Sequence, residues 1–274
     1  MKDAMTIARL EFVCVARLKW IRLLATAFAL LSSAAACSAG AAVELSGTDG
    51  FARTTMTLVP VALILIPLAA VVLGVSGQSA EAGSEAFLFA QPISRATVLI
   101  GRWMGECAAL GSAIASGFGI GALVVASSAG REGVESFVFF TGASIVLAAI
   151  FLSIGAAIAA ATDKRLAALG AATFAWFVFV LLYDGIALSV AGWMTGAIGG
   201  RVLFVSVFGN PADLVRIAML KVAGTANVLG AAGEAWTRFL GGDLRAATIT
   251  VVALLAWMVA PLAIGIAALR ARDL

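Results

Sequence analysis

Histidine is absent from this 274-residue chain. It is the side chain most used as a proton relay near neutral pH and the commonest metal ligand, so its absence weakens most catalytic and metal-site readings at once. Cysteine is scarce as well. Cys14, Cys37 and Cys107 show neither metal-ligand nor disulfide spacing. No GxxxxGK[ST] phosphate loop occurs, so any ATP the chain depends on must be bound by another polypeptide. Charge is sparse too: Asp, Glu, Lys and Arg make up 12% of the chain, about half of what a soluble domain carries. An ordinary globular enzyme is excluded, and the chain is expected to perform no bond chemistry and to hold no cofactor or metal.

What remains is apolar. Hydrophobic residues make up 62% of the chain and the mean hydropathy is +1.09. Runs of 20 or more mostly apolar residues predict an all-α polytopic membrane protein. Six spans are expected in a single transmembrane domain, at about 20–43, 54–76, 105–127, 136–161, 166–191 and 246–269. Residues 1–19 form an amphipathic start whose apolar side, from Ile7, Leu10, Val13 or Cys14 and Leu18, predicts a helix lying along the membrane surface. The sequence SSAAACSAG that ends the first span resembles a processing site, but the long leader containing acids argues against cleavage. Pro60 and Pro67 predict kinks in the second span. In the third, Gly117-x-x-x-Gly121 sits in apolar surroundings and predicts close helix packing, not a phosphate loop.

Orientation follows from Lys and Arg. With both termini on one side, that side holds Lys2, Arg9, Arg17, Lys19, Arg22, Arg95, Arg102, Lys164, Arg165, Arg270 and Arg272 of the 18 basic residues. Arg53 and Arg131 stand alone in the two short opposite loops. Both termini are therefore expected in the cytoplasm.

The long outer link, 192–245, carries a helix start at Asn210-Pro211-Ala212-Asp213. Asn210 can cap free N–H groups, Pro211 suits the first helical position and Asp213 suits the positive end of the dipole. The helix through LVRIAMLK and a second over about 226–240 should rest at the membrane surface, and 193–208 should be re-entrant or interfacial. Asp184 lies roughly 27 Å along the fifth span at 1.5 Å per residue, near its outer end. A carboxylate there faces a cavity, a partner or water. It either lines a path, pairs with Arg201 or Arg216, or sits in headgroup water. Met194 and Met219 lack partners at ligand spacing and read as packing.

The first cytoplasmic loop carries the most specific pattern: Glu81, Gly83-Ser84, Phe87-Leu88-Phe89, Pro92-Ile93-Ser94-Arg95 and Gly101-Arg102. It resembles the corresponding loop of ABC-2-type transport permeases, with Ser84 where threonine is commoner. The resemblance implies a coupling helix that docks on a cytoplasmic ABC ATPase, which holds the ATP and Mg. It assigns ATPase coupling to Glu81, Gly83, Ser84, Phe87, Pro92, Ile93, Ser94 and Arg95. A short amphipathic helix ended by Gln91-Pro92 is suited to a groove on a soluble partner. Val180 to Leu188, with Tyr183 and Asp184, and Gly209 to Arg216 are similar to the NosY branch of that family. That similarity implies a homodimer in the bacterial inner membrane with two ATPase copies and a periplasmic β-helical NosD-like partner. It also implies service in assembling the copper centres of nitrous oxide reductase. Tyr183, Asp184, Asn210, Pro211, Asp213 and Arg216 would line a transport path or meet the periplasmic partner. The second and fifth spans would flank the dimer axis. The alternatives are an ABC-2 exporter of a drug, lipid or other small molecule and, more remotely, an intramembrane enzyme, which needs paired catalytic groups at membrane depth.

Overall fold

The computed structural model describes residues 2–46, 50–78, 94–128, 132–194, 197–222 and 235–271. Among them every regular element is helical. A short α1 (Lys2–Ala16) leads into α2 (Lys19–Ser46), α3 (Gly50–Gln78), α4 (Arg95–Ser128) and α5 (Val134–Ala161). Next come α6 (Arg165–Gly192), α7 (Ala197–Ser206), α8 (Pro211–Val222), a single turn or two at 235–240 (α9) and α10 (Asp243–Ala271). Six of these, α2 to α6 and α10, are long and apolar enough to cross a membrane. Each corresponds to one span expected from the sequence, and the chain is a multi-pass membrane protein.

The bundle is built around the crossing of α3 and α5. Both are apolar on every side, as a helix enclosed by other helices must be. They touch where each carries a glycine. A β-carbon on Gly74 would stand 2.5 Å from the Leu152 carbonyl oxygen, and one on Gly155 would stand 2.5 Å from that of Val71. Toward the other end of α5, Phe137 and Phe140 interlock with Phe28 and Phe118, with Phe118 and Phe140 at 4.9 Å between centroids. Tilted and edge-on pairs of this kind add to simple burial. Helix α4 lies along α2, and Gly117 and Gly121 both abut it: a β-carbon at Gly117 would meet the Ala25 carbonyl at 2.9 Å, and one at Gly121 would strike Ser32. Small residues let helix backbones approach where lipid offers no hydrophobic drive for association. Gly119, between them, has nothing within 4 Å.

Pro60 and Pro67 stay inside one continuous α3. The Trp176 indole donates to the Ile64 carbonyl at 3.1 Å, in the turn that Pro67 loosens. Trp103 and Trp257 likewise donate across to the carbonyls of Ala149 and Phe208. Hydrogen bonds between helices hold best where water cannot compete.

On α1 Met5, Leu10 and Val13 are exposed while Ala8 and Val15 are buried. Gly101 and Gly105 of α4 bring the two backbones together: a β-carbon at Gly105 would stand 2.5 Å from the Ala8 carbonyl, and one at Gly101 would meet the Ile7 side chain. One sequence expectation is corrected: α8 does not merely rest at a surface. Pro211, Ala212, Asp213, Leu214, Val215 and Met219 are buried against the bundle. Burial is also uneven between the two spans assigned to a dimer axis. In α3 61% of the apolar window is enclosed within the protomer, but in α6 only 11%.

Candidate functional site

Midway along α6 the regular ladder breaks. Residues Val178–Leu182 form a π-turn before α-geometry resumes at Tyr183. Such a bulge displaces carbonyls from their usual partners and often marks a functional position. The Phe179 carbonyl accepts a hydrogen bond at 2.9 Å from the Asn210 side-chain amide. The other end of the same side chain accepts from the Ala212 N–H at 3.0 Å, so Asn210 caps α8 as its sequence position predicts. Two turns of chain that need side-chain partners are thus served by one buried amide, 1% exposed.

The chain reaches Asn210 through α7 and a 3-10 turn, Val207–Gly209. The segment from Ile198 to Gly209 and the helix Pro211–Val222 meet at 105°. This sharply bent pair is where the sequence predicts a re-entrant or interfacial segment. Tyr183 secures it from α6, donating its hydroxyl to the Ser206 carbonyl at 2.6 Å. Gly209 is required beside it, because a β-carbon there would collide with that hydroxyl.

Arg216 completes the joint. Its guanidinium pairs with Asp184 of α6 at 2.7 Å and with Asp213, one turn back on α8, at 2.6 Å. Of the two partners foreseen for Asp184 it is Arg216 that makes the contact. The fork geometry of arginine suits two carboxylates at once. The pairs differ in setting: the Asp184 side chain is 48% exposed and that of Asp213 only 9%. Burial pushes the Asp213 carboxyl up to about 7, and the nearby Asp184 adds to this against the pull of Arg216. Tyr183, Asp184, Asn210, Pro211, Asp213 and Arg216, far apart in sequence, therefore form one contiguous cluster. Its chemistry is that of a fixed joint presenting a half-exposed ion pair. Among the described residues no three His, Cys, Asp or Glu side chains gather as a metal site would require.

The set expected to couple to an ATPase is only partly among the described residues. Glu81, Gly83, Ser84, Phe87, Pro92 and Ile93 lie outside the described residues. Ser94 and Arg95 stand at the start of α4, where the Ser94 hydroxyl accepts from the Thr97 N–H at 3.2 Å as an N-cap. The two ends of the loop are held together. Arg102 donates to the Gly77 carbonyl at 2.9 Å, and Gln78 donates to the Leu99 carbonyl at 3.3 Å.

Beside this clasp lies a residue that the sequence reading passed over. Glu106 is fully buried, and neither carboxylate oxygen has a hydrogen-bond partner among the described residues. A β-carbon on Gly77 would collide with it. Glu11 of α1 faces the same region, its carboxyl raised by burial despite Arg102. The signal was present as an acid directly after Gly101-x-x-x-Gly105, but the third span was expected to begin only at 105.

Comparison with known proteins agrees with this arrangement. The family described as ABC-2 family transporter protein matches residues 5–274. A probable ABC transporter permease protein NosY of Pseudomonas aeruginosa is 31% identical over 224 residues, covering 78% of this chain and 80% of that protein. Another, from Stutzerimonas stutzeri, is 29% identical over 283 aligned positions and covers 99% of both chains. The chain belongs to the ABC-2 family of transporter proteins.

Proposed function

We propose that this chain is the membrane permease of an ABC transporter of the NosY type, driven by a separate cytoplasmic ATPase that carries the ATP and Mg. The family match along 5–274 is the observation that carries the reading. Two copies of the permease would sit in the bacterial inner membrane with both termini in the cytoplasm, each bound to one ATPase subunit. The sparsely covered face of α6, with Leu166 and Phe174 exposed, is suited to the contact between copies.

Residues 81–95 would form the coupling segment. The clasp between Gly77 and Arg102, and between Gln78 and Leu99, supports this role. A push on the loop would reach α3 and α4 together, and α3 crosses α5 at the centre of the bundle. The joint of Tyr183, Asp184, Asn210, Pro211, Asp213 and Arg216 would meet a periplasmic β-helical partner of the NosD kind. The work done would serve maturation of the copper centres of nitrous oxide reductase, the role that resemblance to the NosY branch implies.

The deciding experiment is affinity purification of the permease with identification of bound subunits, repeated for Glu81→Lys, Phe87→Ala and Arg95→Glu. The reading requires an ATPase to accompany the wild-type chain and to be lost or uncoupled in the variants, which still insert in the membrane. Full ATPase recovery and turnover in all three variants would defeat it.

A further inference from the structure

A cleft of about 540 Å³ opens between α5, α8 and α10, in the half of the bundle that contains the Asp184–Arg216 joint. Its walls are apolar: Phe139 and Val146 from α5, Val215 and Ala218 from α8, Ala247 and Val251 from α10. The indole N–H of Trp236 is turned to the Thr250 hydroxyl at 3.3 Å, which leaves its apolar ring to the cleft. Val251 is 54% exposed, and Val252, Leu255 and Val259 continue an exposed apolar surface down α10. The cleft thus opens sideways onto the face that these spans turn to the bilayer.

The rim is different. Lys221, in the last turn of α8, lines the cleft and pairs with Asp243, the first residue of α10, at 2.7 Å. The Ser136 hydroxyl donates to the Val222 carbonyl at 3.0 Å and anchors the end of α8 to the start of α5. A cation and an anion therefore stand side by side at the level where both spans begin.

We propose that the cleft is a binding site for one membrane phospholipid, with an acyl chain between α5 and α10 and a zwitterionic ammonium-phosphate headgroup on Lys221 and Asp243. Three observations converge on this occupant. The cleft extends along α10 from the rim at Asp243 to Leu254, roughly 16 Å at 1.5 Å per residue. That is about half the ~30 Å hydrocarbon thickness, the depth of a single leaflet. Below the rim its walls are almost wholly apolar and offer water few partners, which favours a dry cavity. An unfilled cleft would deny its lining the dispersion contacts that a flexible hydrocarbon chain supplies. The rim matches the headgroup, Lys221 to phosphate and Asp243 to ammonium. The lipid would be a resident part of the bundle, wedged between α8 and the spans beneath it. The proposal depends on the multi-pass placement of the chain and not on the copper-centre role.

The test uses the full-length permease, with any co-purifying subunits, in bilayers containing a phosphatidylethanolamine with a photoreactive group near the end of one acyl chain. Cross-linked peptides are mapped by mass spectrometry. Labelling should concentrate around Val146, Val251 and Leu254, at the deep end of the cleft, above the level at the exposed Ile186 and Leu188 of α6. Ala247→Trp, which fills the cleft, should lower it at least about tenfold, since several methylenes lose their burial. Lys221→Glu, which reverses the charge at the rim, should reduce capture of this lipid relative to the same probe with an uncharged headgroup. Equal labelling of the cleft and the α6 face overturns the proposal. So does a folded Ala247→Trp variant with unchanged labelling, or a Lys221→Glu variant with unchanged headgroup preference.

Discussion

The side chain of Asn210 spans a gap of 31 residues to donate to the Phe179 carbonyl at 2.9 Å. One amide thereby satisfies the break in α6 and the start of α8. Asn210→Ala should cost about 1 kcal/mol for the lost cap, and about 1–3 kcal/mol more for a buried carbonyl left without its partner. The expected result is a lower unfolding temperature in detergent, with faster proteolysis between 193 and 222. Asn210→Asp, which keeps the cap and loses the donor, should fall between the two.

Asp213 gives the joint a pH dependence. Its carboxyl is raised to about 7 in the folded protein from an ordinary value of 3.8, chiefly by burial. Between those values the folded state holds a proton that the unfolded state has released. Stability from this group is therefore full below the ordinary carboxyl range and declines as pH rises toward 7. Unfolding temperatures measured from pH 5 to 8 should show that decline in the wild type and a flatter profile in Asp213→Asn. An equally steep profile in both proteins would show that another group is responsible.

Glycines that look alike in the sequence should behave differently. Gly74→Ala brings a β-carbon within 2.5 Å of the Leu152 carbonyl. A backbone atom cannot swing aside, so about 1–3 kcal/mol of destabilisation is expected. Gly119→Ala meets nothing within 4 Å and should stabilise its helix by up to about 1 kcal/mol. Thermal unfolding of the two variants side by side tests both signs.

Glu106 supplies a fourth prediction. Its two oxygens make no hydrogen bond among the described residues, so Glu106→Gln, nearly identical in shape, should leave the unfolding temperature within a few degrees of wild type. Gly77→Ala should do worse than Glu106→Gln, because its methyl group would occupy the space taken by the carboxylate. A collapse of expression in Glu106→Gln with normal Gly77→Ala would reverse the assignment of which group constrains this contact.

The spans were legible because hydrophobic length is a direct consequence of the bilayer. The start of α8 was legible for a similar reason: Asn210, Pro211 and Asp213 each act within one turn of chain. The pairing of Asp184 was narrowed to two arginines, but choosing Arg216 over Arg201 needed the 105° bend, a tertiary feature. The contact face of α1 was not legible, because it is set by where Gly101 and Gly105 let the backbones approach, beside Ile7 and Ala8 and away from Leu10. Glu106 was hidden by the expected end of a span, since α4 begins at Arg95 and carries the acid well inside its apolar packing.

The clasp between the end of α3 and the start of α4 has a thermodynamic consequence. Closing a loop has an entropy cost that depends on its ends finding each other, and Arg102 with Gln78 meets that cost within the bundle itself. Any protein that seizes the intervening residues then has to restrict only their local freedom. Affinity at that surface becomes nearly independent of how the rest of the bundle moves, so the same grip can be kept through a full mechanical cycle.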